Sequence, residues 1–286
     1  MVLSIKDYIE KKFPHKILIK KNYKKSLWFY ENQKADAING YYFIKKYLNK
    51  KKKILEVGGG IQFLSNYLAY LKYSIISLEP GGFRKEIDLI RNKALRLKES
   101  NLIIKNISLE NFAKTSQQKF DFIYSINVLE HTKDISKHLN TQENLLKDYK
   151  SIAHIRCPNY TFPFESHLYL FFIPFFPKET FKFFYEKKLI KKYGIKHYFS
   201  IMNSLNFNCS YFNIKKIGLN ANFTSPIREI FLRINRDPVF KTRILSNKLI
   251  KVFYYLTKFF QIQLLISFIF PKFLSPYLIF NLRKKS

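Results

Sequence analysis

Lys52–Pro80 reads KKILEVGGGIQFLSNYLAYLKYSIISLEP, and this stretch decides the fold. A short apolar run, ILEV, meets three consecutive glycines, Gly58, Gly59 and Gly60, and a helix-like pattern, QFLSNYLAYLK, follows them. A second apolar run, YSIISL, ends in the acid Glu79. Strand, glycine turn, helix and strand make one parallel crossover, and such sheets bind ligands beyond the carboxyl ends of their strands. Gly58 and Gly60 allow positive φ and a close backbone approach to a ligand, and the start of the helix offers unpaired N–H groups. No Gly-Lys-Ser/Thr follows, which excludes a Walker-type phosphate loop. A dinucleotide turn wants a third glycine where Phe63 stands, and Phe63 would crowd a pyrophosphate on the helix N-terminus. Glu56, just before the glycines, would repel a phosphate and suits a ligand that carries a cation. Glu79, about 20 residues beyond the turn, is placed to accept bonds from ribose hydroxyls.

Outward from this unit the alternation continues. ADAINGYYFIKKYLN (35–49) predicts a helix with Ala35, Ile38, Tyr42, Ile44 and Leu48 on one face. A basic, aromatic arm (1–34) precedes it. Downstream come a helix (83–100), a strand in NLIIKNI (101–107), a strand in KFDFIYSINVLEH (119–131), a helix (134–150) and a strand in SIAHIRC (151–157). Five strands alternating with helices predict a doubly wound, Rossmann-like α/β sheet, mostly parallel and buried on both faces. Past Pro158 the chain is crowded with Phe and Pro, which suits a loop-rich aromatic cap (about 159–195) over a binding site. IKHYFSIMNSLN (195–206) predicts a helix and FNCSYFNIKKIG (207–218) a sixth strand. A basic helical region (about 226–270) then precedes SPYLIFNLRK, a seventh strand returning to the sheet. The expected organisation is an arm (1–34), a core (35–218) and a C-terminal helical insertion with the final strand (219–286).

The 286 residues carry 51 Lys and Arg against 20 Asp and Glu, a formal charge of +31. Such a field attracts polyanions. Only nine of the basic residues are Arg, and Lys, Ile, Asn, Phe and Tyr share A/T-rich codons, so base composition accounts for much of the excess. The basic residues are scattered rather than gathered in a stripe, which does not favour nucleic acid. Cys157 and Cys209 have no CxxC spacing and support neither a disulfide framework nor a metal site, so no metal is expected. MVLSIKDYIEKKF has no apolar signal-peptide core, which points to the cytoplasm. FFQIQLLISFIF (259–270) spans about 18 Å as a helix, too short for a bilayer core of about 30 Å. The surrounding basic, aromatic stretch 248–274 has two readings. It is a helical subdomain packing its aromatic face on the core, the preferred one, or an interfacial helix at the inner membrane face.

ILEVGGG, IISLEP and FDFIYSINVLEH, in this order and at these intervals, resemble the class I S-adenosylmethionine-dependent methyltransferases. The resemblance covers about residues 35–215 and the final strand, and is strongest to the type 11-like branch carrying Val-Leu-Glu-His after strand four. It implies S-adenosyl-L-methionine as cofactor, with Glu56, Gly58, Gly59 and Gly60 around its methionine part, whose ammonium is the expected cation. It also implies Glu79 and Pro80 at the ribose, Ser125 and Asn127 facing the sulfonium methyl, and Glu130 and His131 just beyond. The family often has a third glycine where Gln62 stands, so the Gln62 amide is expected to touch the ligand. The acid that commonly contacts the adenine amine aligns with Asn106 or Ser108. His131, Glu165 and His167 are candidate catalytic bases, histidine because its pKa lies near neutral. SINV replaces the Asn/Asp-Pro-Pro-aromatic motif of enzymes that methylate the amines of DNA bases. EPGGF and CPNYTFPFESH resemble a bacterial subgroup associated with surface-polysaccharide biosynthesis. The expected function is methyl transfer to a small or lipid-linked acceptor, a sugar hydroxyl in cell-surface glycan synthesis. The alternatives are RNA methylation and a non-catalytic adaptor at the membrane surface.

Overall fold

A computed structural model describes residues 2–13, 24–81, 85–96, 98–165, 170–173, 176–193, 195–236, 241–242, 245 and 248–285. In chain order its strands are β1 (Ile54–Val57), β2 (Ile75–Leu78), β3 (Leu102–Lys105), β4 (Phe122–Ile126), β5 (Ile152–Pro158), β6 (Phe164–Glu165), β7 (Leu170–Phe171), β8 (Ala221–Thr224) and β9 (Tyr277–Arg283). Seven of them form one sheet in the order β3-β2-β1-β4-β5-β9-β8, while β6 and β7 pair separately. β1 runs parallel to β2 and β4, and β2 to β3, whereas β8 and β9 are antiparallel. This is a mostly parallel, doubly wound, Rossmann-like sheet, and the final strand, expected to return to it, lies between β5 and β8. β1, β2 and β5 are buried along their whole length, polar Glu56, Ser77, His154 and Arg156 included.

The chain divides into two compact units, residues 1–126 with 140–154 and 283–286, and residues 127–139 with 155–282. In the first unit, α1 (Ile5–Lys12) is capped by Ser4, whose hydroxyl accepts from the Asp7 N–H at 3.2 Å. α2 (Lys24–Ile44) begins well before the expected Ala35, and α3 (Phe63–Tyr70) follows the glycine turn. Tyr8 of α1 stacks on Tyr70 of α3 at 4.9 Å between centroids and donates to the Asn66 carbonyl. Tyr30 of α2 meets Phe63 edge to face and donates to the Phe13 carbonyl. The described part of the N-terminal arm is therefore two packed helices. α4 (Lys85–Arg96), α5 (Leu109–Thr115) and α6 (Ile135–Leu145) complete the alternation.

In the second unit the aromatic region folds as the β6–β7 pair, α7 (Pro177–Thr180), a π-turn (Phe181–Tyr185), α8 (Glu186–Tyr193) and α9 (Ile195–Ser204). The strand expected at 207–218 is replaced by α10 (Tyr211–Lys216), and the true strand, β8, comes after it. The cause is capping: the Ser210 hydroxyl accepts from the Asn213 N–H, and Gly218, at φ 76°, ends the helix. α11 (Ile227–Arg236), α12 (Lys248–Phe259) and α13 (Gln263–Ile269) follow. Cys157 and Cys209, far apart in sequence, are buried, hydrogen-bonded free thiols, and burial pushes the Cys209 thiol well above its ordinary range. No helix among the described residues is long and apolar enough to cross a membrane.

Candidate functional site

Strand register sets the first group of site residues side by side. Val57 of β1 is paired with Leu78 of β2 and Ser125 of β4, and Leu78 with Lys105 of β3. Gly58, Glu79 and Asn106, each just past its strand, and Ile126, the last residue of β4, therefore lie together at the carboxyl ends of the strands, beside the reversal of strand order at β1 and β4. Those ends are where open α/β sheets bind ligands.

The glycine turn is built from three separate demands. Gly58 and Gly60 adopt φ 78° and 55°, in the left-handed region that side chains disfavour. Gly59 is required for space: a Cβ there would collide with Ser77 Oγ and lie 2.5 Å from Gln62 Nε2. A Cβ on Gly60 would strike Gln33 Oε1 of α2, so Gln33 stands against the turn. Gln62 caps α3 at φ 70° with its Oε1 accepting from Ser65 Oγ at 2.7 Å. Its Nε2 is buried with no hydrogen-bond partner among the described residues, and Ser125 Oγ is in the same state. A buried polar atom without a partner costs about 1–3 kcal/mol, so two such atoms here fit a polar ligand that completes them.

The two acids differ in what they face. Glu56 is buried between its in-register neighbours: its carboxylate accepts from Ser77 Oγ on β2 and, at 2.8 Å, from the Tyr124 hydroxyl on β4. Each Glu56 carboxylate oxygen is thus bonded to one hydroxyl of a neighbouring strand. The group ties three strands beneath the turn, because a strand residue buried on both sides has only its neighbours to satisfy it. Burial raises its pKa, against the lowering effect of the Ser77, Tyr124 and Ser65 hydroxyls. A folded pKa above the unfolded one means that this contribution to stability is full at acid pH and is lost as pH rises through the raised value. Glu56→Gln is accordingly expected to lower the melting temperature most at acid pH, the difference from the native chain narrowing towards alkaline pH. Thermal melts across pH check this, and a difference that widens with pH would refute it.

Glu79 is largely buried, and among the described residues each oxygen meets one backbone donor: Oε2 accepts from the Gly60 N–H at 2.8 Å and Oε1 from the Gly81 N–H at 3.0 Å. Each keeps a second lone pair. Burial raises its pKa, opposed by these two N–H groups and by Arg91. Arg91 of α4 is buried and bridges the Glu79 carbonyl and Asn106 Oδ1, at 3.3 and 2.6 Å. Ser108 is used as the cap of α5, accepting from the Asn111 N–H, and Pro80 is exposed. Gln33 and Arg91 were not singled out by sequence. Gln33 sits in a segment without motif, and Arg91 has the helical spacing of a solvated surface charge.

The remaining candidates belong to the second unit. Asn127 is held at φ 55° with its N–H donating to the Arg156 carbonyl at 2.9 Å. Glu130 is buried in a single 3-10 turn, and its carbonyl accepts from the Asn206 N–H at 2.7 Å. Asn206 Nδ2 also donates to the Thr132 carbonyl, so the loop after α9 clamps the VLEH turn. His131 is exposed with Nδ1 3.1 Å from the Ser204 carbonyl. A carbonyl only accepts, so this contact puts the proton on Nδ1 and the lone pair of the neutral ring on Nε2. Glu165 is fully buried and accepts from the Tyr160 hydroxyl at 3.3 Å, and burial, Glu165, Glu130 and Cys209 together push the Tyr160 pKa well up. His167 lies outside the described residues. Among the described residues no group of three or more His, Cys, Asp or Glu could hold a metal ion.

Comparison with known proteins gives a family. The family model described as "Methyltransferase domain" matches residues 29–209. Two curated relatives from Mycobacterium tuberculosis, uncharacterized proteins MT1557 and Rv1509, are each 38% identical over 132 residues. The match covers 44% of this chain and 42% of theirs, so the chain spans about two fifths of the length of the curated relatives it matches. Among solved structures, the CcbJ methyltransferase from Streptomyces caelestis aligns with 17% identity and a TM-score of 0.36, over 44% of this chain and half of the other. The Haemonchus contortus phosphoethanolamine N-methyltransferase 2 aligns with 13% identity and a TM-score of 0.47, over 100% of this chain and 61% of the other.

Proposed function

The chain belongs to the methyltransferase-domain family, and from this we propose that it transfers a methyl group to a small or lipid-linked acceptor, a sugar hydroxyl of a cell-surface glycan. S-Adenosylmethionine, when bound, supplies a methyl group activated by its sulfonium. The observation that carries the reading is the turn Gly58–Gly60 bonded to Glu79, with Gln62 Nε2 and Ser125 Oγ buried beside it and without a hydrogen-bond partner among the described residues. The three glycines would admit the ligand backbone, Glu79 would accept from the ribose diol through its remaining lone pairs, and Gln62 Nε2 and Ser125 Oγ would bond its polar atoms. Glu56 contributes from beneath the turn, through the rigidity of β1, β2 and β4. Of the candidate bases, exposed His131 suits proton removal from an acceptor hydroxyl, its lone pair lying on Nε2. Glu165 has no exposed surface and suits a structural role with Tyr160. The sugar acceptor rests on the resemblance of EPGGF and CPNYTFPFESH to glycan-associated enzymes.

Calorimetric titration with S-adenosylhomocysteine tests the reading, and absence of heat at millimolar ligand would sink it. Gln62→Gly is expected to keep the melting temperature nearly unchanged, since relief of positive φ offsets the lost Ser65 bond, while weakening the ligand about 5–10-fold for one hydrogen bond. Undiminished affinity would remove Gln62 from the site. Methyl transfer to glycan precursors by His131→Ala, with the ligand affinity intact, tests the base. Full turnover would take that role away.

A further inference from the structure

We propose that α12 and α13 form a docking surface for an anionic lipid bilayer, lying in its interface without crossing it. The inference stands apart from the cofactor reading and uses none of its residues.

α12 faces the opposite way from an ordinary packed helix. Its inner edge is Tyr254 and Thr257, both buried. Tyr254 packs on Phe231 and Ile234 of α11 and donates to Asn235 Oδ1 at 2.6 Å. At about 100° per residue, Val252 and Phe259 point directly away from that edge, with Tyr255 and Leu256 beside them. All four are exposed, Phe259 by 79%. They line a shallow groove of about 920 Å³ together with Lys248, Lys251 and Lys258. The exposed run continues through Phe260 and Ile262 into α13, where Leu265 and Ile269, one turn apart, are 57% and 70% exposed. The Ile262 N–H bonded to the Thr257 carbonyl and Gln263 Nε2 bonded to Thr257 Oγ1 fix the turn between the two helices. Scattered apolar residues on a surface are ordinary, but a contiguous run of this size marks an interaction site.

Charge names the occupant. Residues 238–286 contain nine basic residues and no Asp or Glu. Lys251 and Lys258 border the apolar stripe on one side, where their stems can cover apolar surface while the ammonium groups reach lipid phosphates. Each such lysine contributes about a factor of five to partition onto an anionic surface. A second copy of this chain is disfavoured at this face, because self-pairing would set Lys248, Lys251 and Lys258 against like charges.

The test is co-sedimentation of the full chain, without cofactor, with phosphatidylcholine vesicles and with vesicles that also contain phosphatidylglycerol. Binding is expected to the anionic vesicles only, and to weaken with salt. Val252→Glu/Phe259→Glu is expected to abolish it. Lys248→Gln/Lys251→Gln/Lys258→Gln should lower the partition coefficient about a hundredfold. All these side chains are exposed, so melting temperatures should not move, and melts of each variant confirm that folded protein is compared. Absence of binding, equal binding to both vesicle types, undiminished binding by either variant, or a dimer that Val252→Glu/Phe259→Glu dissolves would each overturn the proposal.

Discussion

Gly59→Val is expected to abolish binding of S-adenosylhomocysteine and to lower stability by about 1–3 kcal/mol, the usual cost of overpacking a filled interior. The φ of Gly59 is not the obstacle. A side chain there would displace the Ser77 hydroxyl, which is bonded to the buried Glu56, and the amide of Gln62. The disturbance therefore runs into the strand triplet β2-β1-β4 and into the start of α3 together. Gly218→Ala is the matched control. It carries a positive φ of 76° and a Cβ there would touch nothing within 4 Å, so strain of about 1–2 kcal/mol should appear without loss of affinity. Calorimetry and thermal melts on both variants separate the cases. Retained binding in Gly59→Val would displace the ligand from this turn.

Glu79→Ala is expected to weaken the same ligand about a hundredfold or more. Two hydrogen bonds from a ribose diol to a carboxylate are worth about 1.5–3 kcal/mol each. The substitution also strips the Gly60 and Gly81 N–H groups of their acceptor, so some loss of stability accompanies it. Glu79→Gln keeps the shape and removes the charge, and pH then gives an independent reading. Burial raises the Glu79 pKa, so protonation on acidification begins above the range of an exposed glutamate. Affinity of the native chain should fall there, while that of Glu79→Gln should stay flat. Parallel pH profiles for the two would remove Glu79 from the site.

Much of the architecture was legible from local signals. ILEV, YSIISL and SIAHIRC read as short strands rich in Ile, Leu and Val, and their burial takes in Glu56, Ser77, His154 and Arg156 as well. Gly58 and Gly60 mark a turn because few residues other than glycine adopt its φ. SPYLIFNLRK announced a last strand behind a proline. The failure at 207–218 was also local: alternating FNCSYFNI outweighed Ser210 and Gly218, the caps that make α10 a helix. The acid at the end of β2, Glu79, was legible because a local motif carries it, whereas the contacts of Gln33 with the turn and of Arg91 with Glu79 and Asn106 were illegible because they are long-range.

The sequence by itself determined a doubly wound sheet, its glycine turn and an acid at the end of β2, since each follows from patterns within a few residues. Only the tertiary structure decided what Glu56 faces, because its partners Ser77 and Tyr124 arrive through strand register. It also decided the orientation of α12. Periodicity separates the Tyr254 edge from the Val252–Phe259 stripe, but both are apolar, and packing on α11 rather than hydropathy chose which would be covered. The helix therefore packs one aromatic edge, at Tyr254, and leaves the other apolar stripe outward with lysines beside it.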